Sequence, residues 1–259
     1  MPHDLDKAKE IIKQSGKAFH CRVLKYLKGK GWTVLISPYY NDNVSSKPRE
    51  IDLIAEKAFD ATSHVGEVVG TINVKLFIEC KYISQKTVFR FHGKDKLKAE
   101  DLVTQTTPLR KDNSYTQKHH YLDRVDGVAK LFADESKSSP DNEIFYKAMN
   151  QSLNAMVYYR NKGSIIKLPP SRDGYIKKIV NYPVIVCNSF EDLYRVEIDN
   201  DAEPANITDN FLLEVNYAYM TSNGGDRNEY FLIDILNFDW IDRFLTKIEH
   251  DTELVSFFS

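Results

Sequence analysis

Glu79 and Lys81 stand two residues apart at the end of an apolar run, Val74–Tyr82, and Asp52 lies inside an earlier one, Glu50–Glu56. Side chains alternate between the two faces of a strand. Val74, Leu76, Ile78 and Cys80 therefore fall on one face, and Lys75, Phe77, Glu79 and Lys81 on the other. In the earlier run Ile51, Leu53 and Ala55 share one face; Glu50, Asp52 and Ile54 share the other. Pairing of the two runs as a hairpin would set Asp52 beside Glu79, so that two carboxylates and a lysine converge. Paired carboxylates suit a hard divalent cation such as Mg2+, which takes oxygen ligands and keeps several waters. A lysine beside such an ion can position or deprotonate a nucleophilic water, or offset developing charge. That chemistry suits phosphodiester hydrolysis. A bare Glu-x-Lys triplet is more often a salt bridge at a strand end. Here it closes an apolar strand, and Ile51-Asp-Leu-Ile54 precedes it by one hairpin length.

Positioning these groups requires particular elements. Ile12, Phe19, Val23, Leu24 and Leu27 recur at helical spacing and predict a helix over residues 7–30, ended by Gly29 and Gly31. Strands are expected at Thr33–Ser37, Glu50–Glu56 and Val74–Tyr82, with Gly66–Gly70 connecting the last two. Residues 84–120 read as a basic, irregular insertion, residues 121–133 as a helix and 134–142 as a loop. Glu143–Arg160 carries a strong helical pattern. Strands follow at Pro183–Cys187 and Leu193–Ile198. A hairpin, Leu212–Met220 with Glu229–Leu236, turns at Asn223-Gly-Gly-Asp226, and Trp240–Ile248 closes the chain as a helix. The fold class expected is α/β: a mixed sheet flanked by helices, with a C-terminal β-hairpin and helix, in a single domain over residues 1–259.

Four segments together are similar to a known family: Gly16-Lys-Ala-Phe19, the helix end from Leu27 to Gly31-Trp32, Glu50-Ile-Asp52-Leu-Ile-Ala55, and Phe77-Ile-Glu79-Cys-Lys81. Residues 16–81 resemble the core of the PD-(D/E)xK nuclease superfamily, in the style of Mrr-type restriction enzymes and archaeal Holliday-junction resolvases. The resemblance implies a restriction-endonuclease-like αβββαβ core. It implies that Asp52 and Glu79 bind Mg2+ or Mn2+ and that Lys81 assists the attacking water. It also implies DNA rather than RNA as substrate, and a restriction or host-defence role. The chain departs from the family at His20, where a Gly-x-x-x-Glu pattern would place an acid on the first helix. As a neutral imidazole His20 could serve the metal; as a residue at the core edge it would hydrogen-bond a backbone carbonyl. Some relatives carry a Gln followed by a Tyr on the helix after the lysine strand. Gln151 with Tyr158 could take that accessory role, or Gln151 could be a polar residue at the edge of an amphipathic helix.

Charge is distributed unevenly. Residues 181–259 carry a net −12 and residues 1–180 a net +10, within a total of −2. A basic first part invites a polyanion. Lys86, Arg90, Lys94, Lys96 and Lys98 are the expected phosphate contacts, with Tyr82, Phe89, Phe91 and Tyr115 interleaved to stack on bases. A solvated insertion is the plainer reading of the same stretch. His119-His120 has no third ligand nearby in sequence, so a zinc site is not expected there. Trp240 and Phe244 read as packing for the last helix. Cys21, Cys80 and Cys187 are too few and scattered for a disulfide framework, no apolar run is long enough for a membrane helix, and no secretory signal is evident. A cytoplasmic location is therefore expected. With no separate recognition segment, specificity would come from the insertion, the C-terminal part, a homodimer or a partner protein. The competing function is a nuclease-fold subunit that has lost catalysis and binds nucleic acid or a protein partner.

Overall fold

In a computed structural model, residues 2–14, 17–43, 45–62, 65–123, 127–135, 144–164, 176–199, 203–221 and 224–258 are described. The single expected N-terminal helix is two, α1 (Pro2–Gln14) and α2 (Lys17–Gly29). The second buries Phe19, Val23 and Leu27, four residues apart on one stripe. Gly31 at φ +81° allows Trp32 N–H to reach back to the Leu27 carbonyl and ends the helix.

Strands β1 (Thr33–Ile36), β2 (Tyr39–Asn41), β3 (Pro48–Glu50), β4 (Leu53–Thr62) and β5 (Val68–Lys81) follow. The expected strand over 50–56 is thus broken at Ile51-Asp52. The cause is that β3 pairs with β2 in a small sheet of their own, while β4 pairs with β1 and β5. Ile51 N–H bonds the Pro38 carbonyl and Ser37 N–H the Asp52 carbonyl, so the break is held on both sides. Alternation fails across it: Ile51 packs with Ile54 and Phe77, on the opposite face from Leu53 and Ala55.

The stretch expected to be irregular holds β6 (Thr87–His92), α3 (Lys96–Thr106) and the short helix α4 (His120–Asp123). Thr87, Phe89 and Phe91 are buried while Arg90 and His92 are exposed, a strand alternation hidden among the lysines. Residues expected as a helix over 121–133 form β7 (Val128–Asp134) instead, beyond α4. Pairing of β7 with β6 and, at Ala129, with Leu213 overrides local propensity. Residues 136–143, most of the expected 134–142 loop, lie outside the described residues, as does Asn223. Then come α5 (Ile144–Tyr159), β8 (Ile176–Cys187), β9 (Leu193–Glu197), β10 (Ala205–Asn206), β11 (Phe211–Met220), β12 (Asp226–Asn237) and α6 (Ile241–Phe257).

Ten strands form one mixed sheet in the order β1-β4-β5-β8-β12-β11-β7-β6-β9-β10. The β4–β5 and β11–β12 pairs are antiparallel; β5–β8, β8–β12 and β6–β9 are parallel. The chain runs only from Lys81 to Thr87 between β5 and β6, a reach of about 20 Å. Five strand spacings separate those strands across the sheet, about 24 Å along a flat surface. The sheet therefore bends, and α5 fills the bend: Phe145 packs on Phe89 at 4.8 Å, and Ser152 Oγ–H bonds the Phe77 carbonyl at 2.9 Å. The other face carries α2, α3 and α6 over Val74, Leu76, Ile78 and Cys80.

Candidate active site

The β4–β5 register sets Leu53 opposite Ile78, so the break at Asp52 stands over Glu79. Two reciprocal bonds couple them. Asp52 N–H donates to Glu79 Oε1 at 3.3 Å, and Cys80 N–H donates to Asp52 Oδ2 at 2.8 Å. Because Asp52 is outside the ladder, its carboxylate takes the backbone donor that a strand partner would otherwise satisfy. On the same face Lys81 Nζ–H bonds Glu79 Oε2 at 2.7 Å. From α2, His20 Nε2 lies 3.4 Å from Asp52 Oδ2. Its partner is thus a carboxylate, not the backbone carbonyl of the core-edge alternative. From α5, Gln151 Nε2–H bonds the Glu50 carbonyl at 3.1 Å and braces the chain two residues before Asp52.

Glu79 is fully buried, while the side chains of Asp52, Lys81 and His20 are 16%, 19% and 27% exposed, so the group opens to solvent on one side. Burial pushes the Glu79 carboxyl up to about 8; Lys81 opposes this and Asp52 adds to it. Burial acts to lower the Lys81 ammonium, but the carboxylates of Glu79 and Asp52 outweigh it and hold it above the ordinary lysine value. A cation held there displaces the Glu79 proton, after which two carboxylates stand against one ammonium and offset the charge of the ion.

Tyr40 on β2 escaped the sequence reading. It is buried, and its hydroxyl is raised by burial and by the charge of Glu79. It lines a cleft of about 780 Å3 with Arg49, Lys147, Gln151, Asn216 and Tyr217. No spacing rule links residue 40 to residue 79; only the β2–β3 hairpin folding back does so. Tyr158 packs on Tyr40 at 6.3 Å and so supports the cleft wall.

The basic segment is partly committed elsewhere. Lys94 donates to the Tyr121 carbonyl, and Lys98 pairs with Asp95 at 3.2 Å at the start of α3. Lys86, Arg90 and Lys96 are exposed, and among the described residues none of the three has an ion-pair partner. Phe89 and Phe91 are buried in the core and are not available to stack on bases. Tyr115 stacks on Phe257 at 5.8 Å yet stays exposed, as does Tyr82. His119 and His120 do have a third potential ligand: folding brings Asp251 of α6 to them. Phe244 packs the C-terminal helix as expected, whereas Trp240, directly before that helix, packs on Phe190 in the other cluster. Among the described residues no helix is long and apolar enough to cross a membrane. Compared with family models, curated proteins and solved structures, the chain matches none.

Proposed function

We propose that the chain is a divalent-metal-dependent endonuclease that hydrolyses phosphodiester bonds in DNA, with Asp52, Glu79 and Lys81 as its centre. The observation that carries this reading is the convergence of two carboxylates and a lysine at the β4–β5 junction, from residues 27 and 29 positions apart in sequence. The reading includes a restriction-endonuclease-like core made of α2, β1, β4, β5, α5 and β8. The strand order β1-β4-β5-β8 with a parallel β5–β8 pair supports it.

The donor set fits Mg2+ or Mn2+: hard carboxylate oxygens from Asp52 and, once the ion displaces its proton, from Glu79, with an open side. Held there, the ion would neutralise charge on a phosphate and make a water more acidic. Lys81 is kept protonated by its carboxylate neighbours and can orient the attacking water or offset charge on the phosphate oxygens. Gln151 positions the Asp52 turn through the Glu50 carbonyl. The cleft meets the centre through Gln151, since Asp52, Glu79 and Lys81 do not line it; with Tyr40 and Tyr217 as aromatic walls and Arg49 and Lys147 at its lining, it is sized for part of a nucleic-acid strand leading to the centre. A restriction or host-defence role follows from the resemblance.

The test is incubation of the protein with plasmid and single-stranded DNA in Mg2+, in Mn2+ and in EDTA. Cleavage that requires the metal is expected. Lys81→Ala should lower its rate by about 10²–10³ while DNA binding persists. The fold should survive, because burial already holds a proton on Glu79 at neutral pH and removal of Lys81 strengthens that hold. DNA binding without cleavage by the wild type would replace this reading with the inactive, nucleic-acid-binding subunit.

A further inference from the structure

His120 opens α4 and His119 directly precedes it, Asp234 lies in the C-terminal half of β12, and Asp251 is in α6. All four side chains are buried. One donor atom each from His119, His120 and Asp251 falls within 4.8 Å of the others. His119 Nε2 is 3.3 Å from Asp251 Oδ2, and His120 Nδ1 contacts the same oxygen. On its far side, His120 Nε2 lies 3.2 Å from Asp234 Oδ2. We propose that His119, His120 and Asp251 form a zinc-class metal site, with Asp234 as the outer carboxylate that orients His120.

Three features carry this. The first is donor chemistry. Two imidazole nitrogens and a carboxylate suit Zn2+ and its transition-metal neighbours, not Mg2+. The second is spacing. Bonds of about 2.0–2.2 Å in a tetrahedron set ligand atoms about 3.3–3.5 Å apart, close to the separation of His119 Nε2 and Asp251 Oδ2; His120 Nδ1, in contact with the same oxygen, draws back from it to admit the ion. The third is the arrangement around His120. Asp234 stands at Nε2, and ligation through Nδ1 would exchange that nitrogen's present hydrogen bond to Asp251 Oδ2 for an ion while Asp234 stays as the outer carboxylate, the usual support for a histidine ligand.

Charge points the same way. Two buried carboxylates with two imidazoles leave one negative charge uncompensated even with a proton shared on His120. A divalent cation with both imidazoles neutral leaves none. Tyr182 O–H, 3.3 Å from Asp251 Oδ2, stands at the same oxygen. The Tyr121 amide donates to His119 Nδ1 at 3.2 Å, and ligation through Nε2 gives up that contact. An ion here would fasten α6 to α4 across 131 residues of chain and would be independent of the Asp52–Glu79 centre.

The experiment is titration of the chelator-treated full chain with Zn2+, and in parallel with Co2+. One equivalent should bind per chain and raise the melting temperature, and Co2+ should give the visible absorption of a four-coordinate site. Asp234→Asn should weaken Zn2+ binding about 10–100-fold, and His119→Gln at least about tenfold. Asp52→Ala combined with Glu79→Ala should leave it unchanged. Failure of the folded wild type to bind one equivalent overturns the proposal, whatever happens to the variants. Binding that survives His119→Gln, or that disappears in the Asp52/Glu79 double variant, also overturns it.

Discussion

Glu79 is fully buried, and Lys81 Nζ and the Asp52 amide donate hydrogen bonds to its carboxyl group. That fixes the direction of a pH response. Its carboxyl is raised from the ordinary 4.5 to about 8. Between those values the folded chain keeps a proton that the unfolded chain has released. Metal-free stability from this group is therefore greatest at low pH and declines as pH climbs through that window. A divalent cation must displace the same proton. Mg2+-supported cleavage should rise about tenfold per pH unit below about pH 8 and level off above it. Initial rates measured from pH 5.5 to 9 check this, and a flat profile over the lower half would remove Glu79 from the metal site. His20 gives a second test at this scale. Its Nε2 faces Asp52 Oδ2, where the resembled family carries a glutamate. His20→Glu adds a carboxylate beside Asp52, which costs stability without metal and supplies a harder ligand with it. The Mg2+/Mn2+ rate ratio should increase by about tenfold. An unchanged ratio would make His20 a support for Asp52 alone.

Strand β5 organises the element scale, because its two faces have different tasks. Val74, Leu76, Ile78 and Cys80 bind the sheet to α2 and α6, while Phe77 meets α5. That much was legible from alternation, as was the approach of Asp52 to Glu79. The break at Ile51-Asp52 was not, since it depends on β3 pairing with β2, a non-local choice. For the same reason β6 and β7 were hidden: besides each other, their partners are β9 and β11, 106 and 84 residues further along the chain (Thr87 to Leu193, Ala129 to Leu213). Lys75 was legible only as a face position. In the fold it is fully buried, 3.5 Å from the equally buried Glu56 and bonded to the Lys162 carbonyl at 3.2 Å. Lys75→Ala removes the cation from that carboxylate and should destabilise the chain by about 3–5 kcal/mol. Lys57→Ala breaks a comparable pair with Glu249, but in solvent, and should cost less than about 1 kcal/mol. Urea denaturation of the two variants compares them directly, and similar midpoints would contradict the burial argument.

At the scale of the whole molecule, the basic and acidic parts of the sequence are not two separate bodies. The acidic β11–β12 hairpin is inserted between β8 and β7, so strands from both parts alternate through one sheet. The +10 of residues 1–180 is in part neutralised within the fold: Lys130 pairs with Glu214, Arg160 with Glu229 and Arg22 with Asp239. Only cations left without such partners can release counterions from a nucleic acid. Of the five residues singled out by sequence, Lys86, Arg90 and Lys96 meet that condition, whereas Lys94 and Lys98 are engaged inside the chain. Each phosphate contact contributes about 0.9 to the slope of log affinity against log salt for duplex DNA. The triple variant Lys86→Gln, Arg90→Gln, Lys96→Gln should therefore flatten the slope by up to about 3, and Lys94→Gln with Lys98→Gln by much less than 2. Binding measured by fluorescence anisotropy between 50 and 300 mM salt — a range set by the method, about the physiological value — tests the pair of variants together. Equal flattening by both would mean that the internal partners do not restrain Lys94 and Lys98. No flattening by the triple variant would assign phosphate binding to the Lys147 side of the cleft instead.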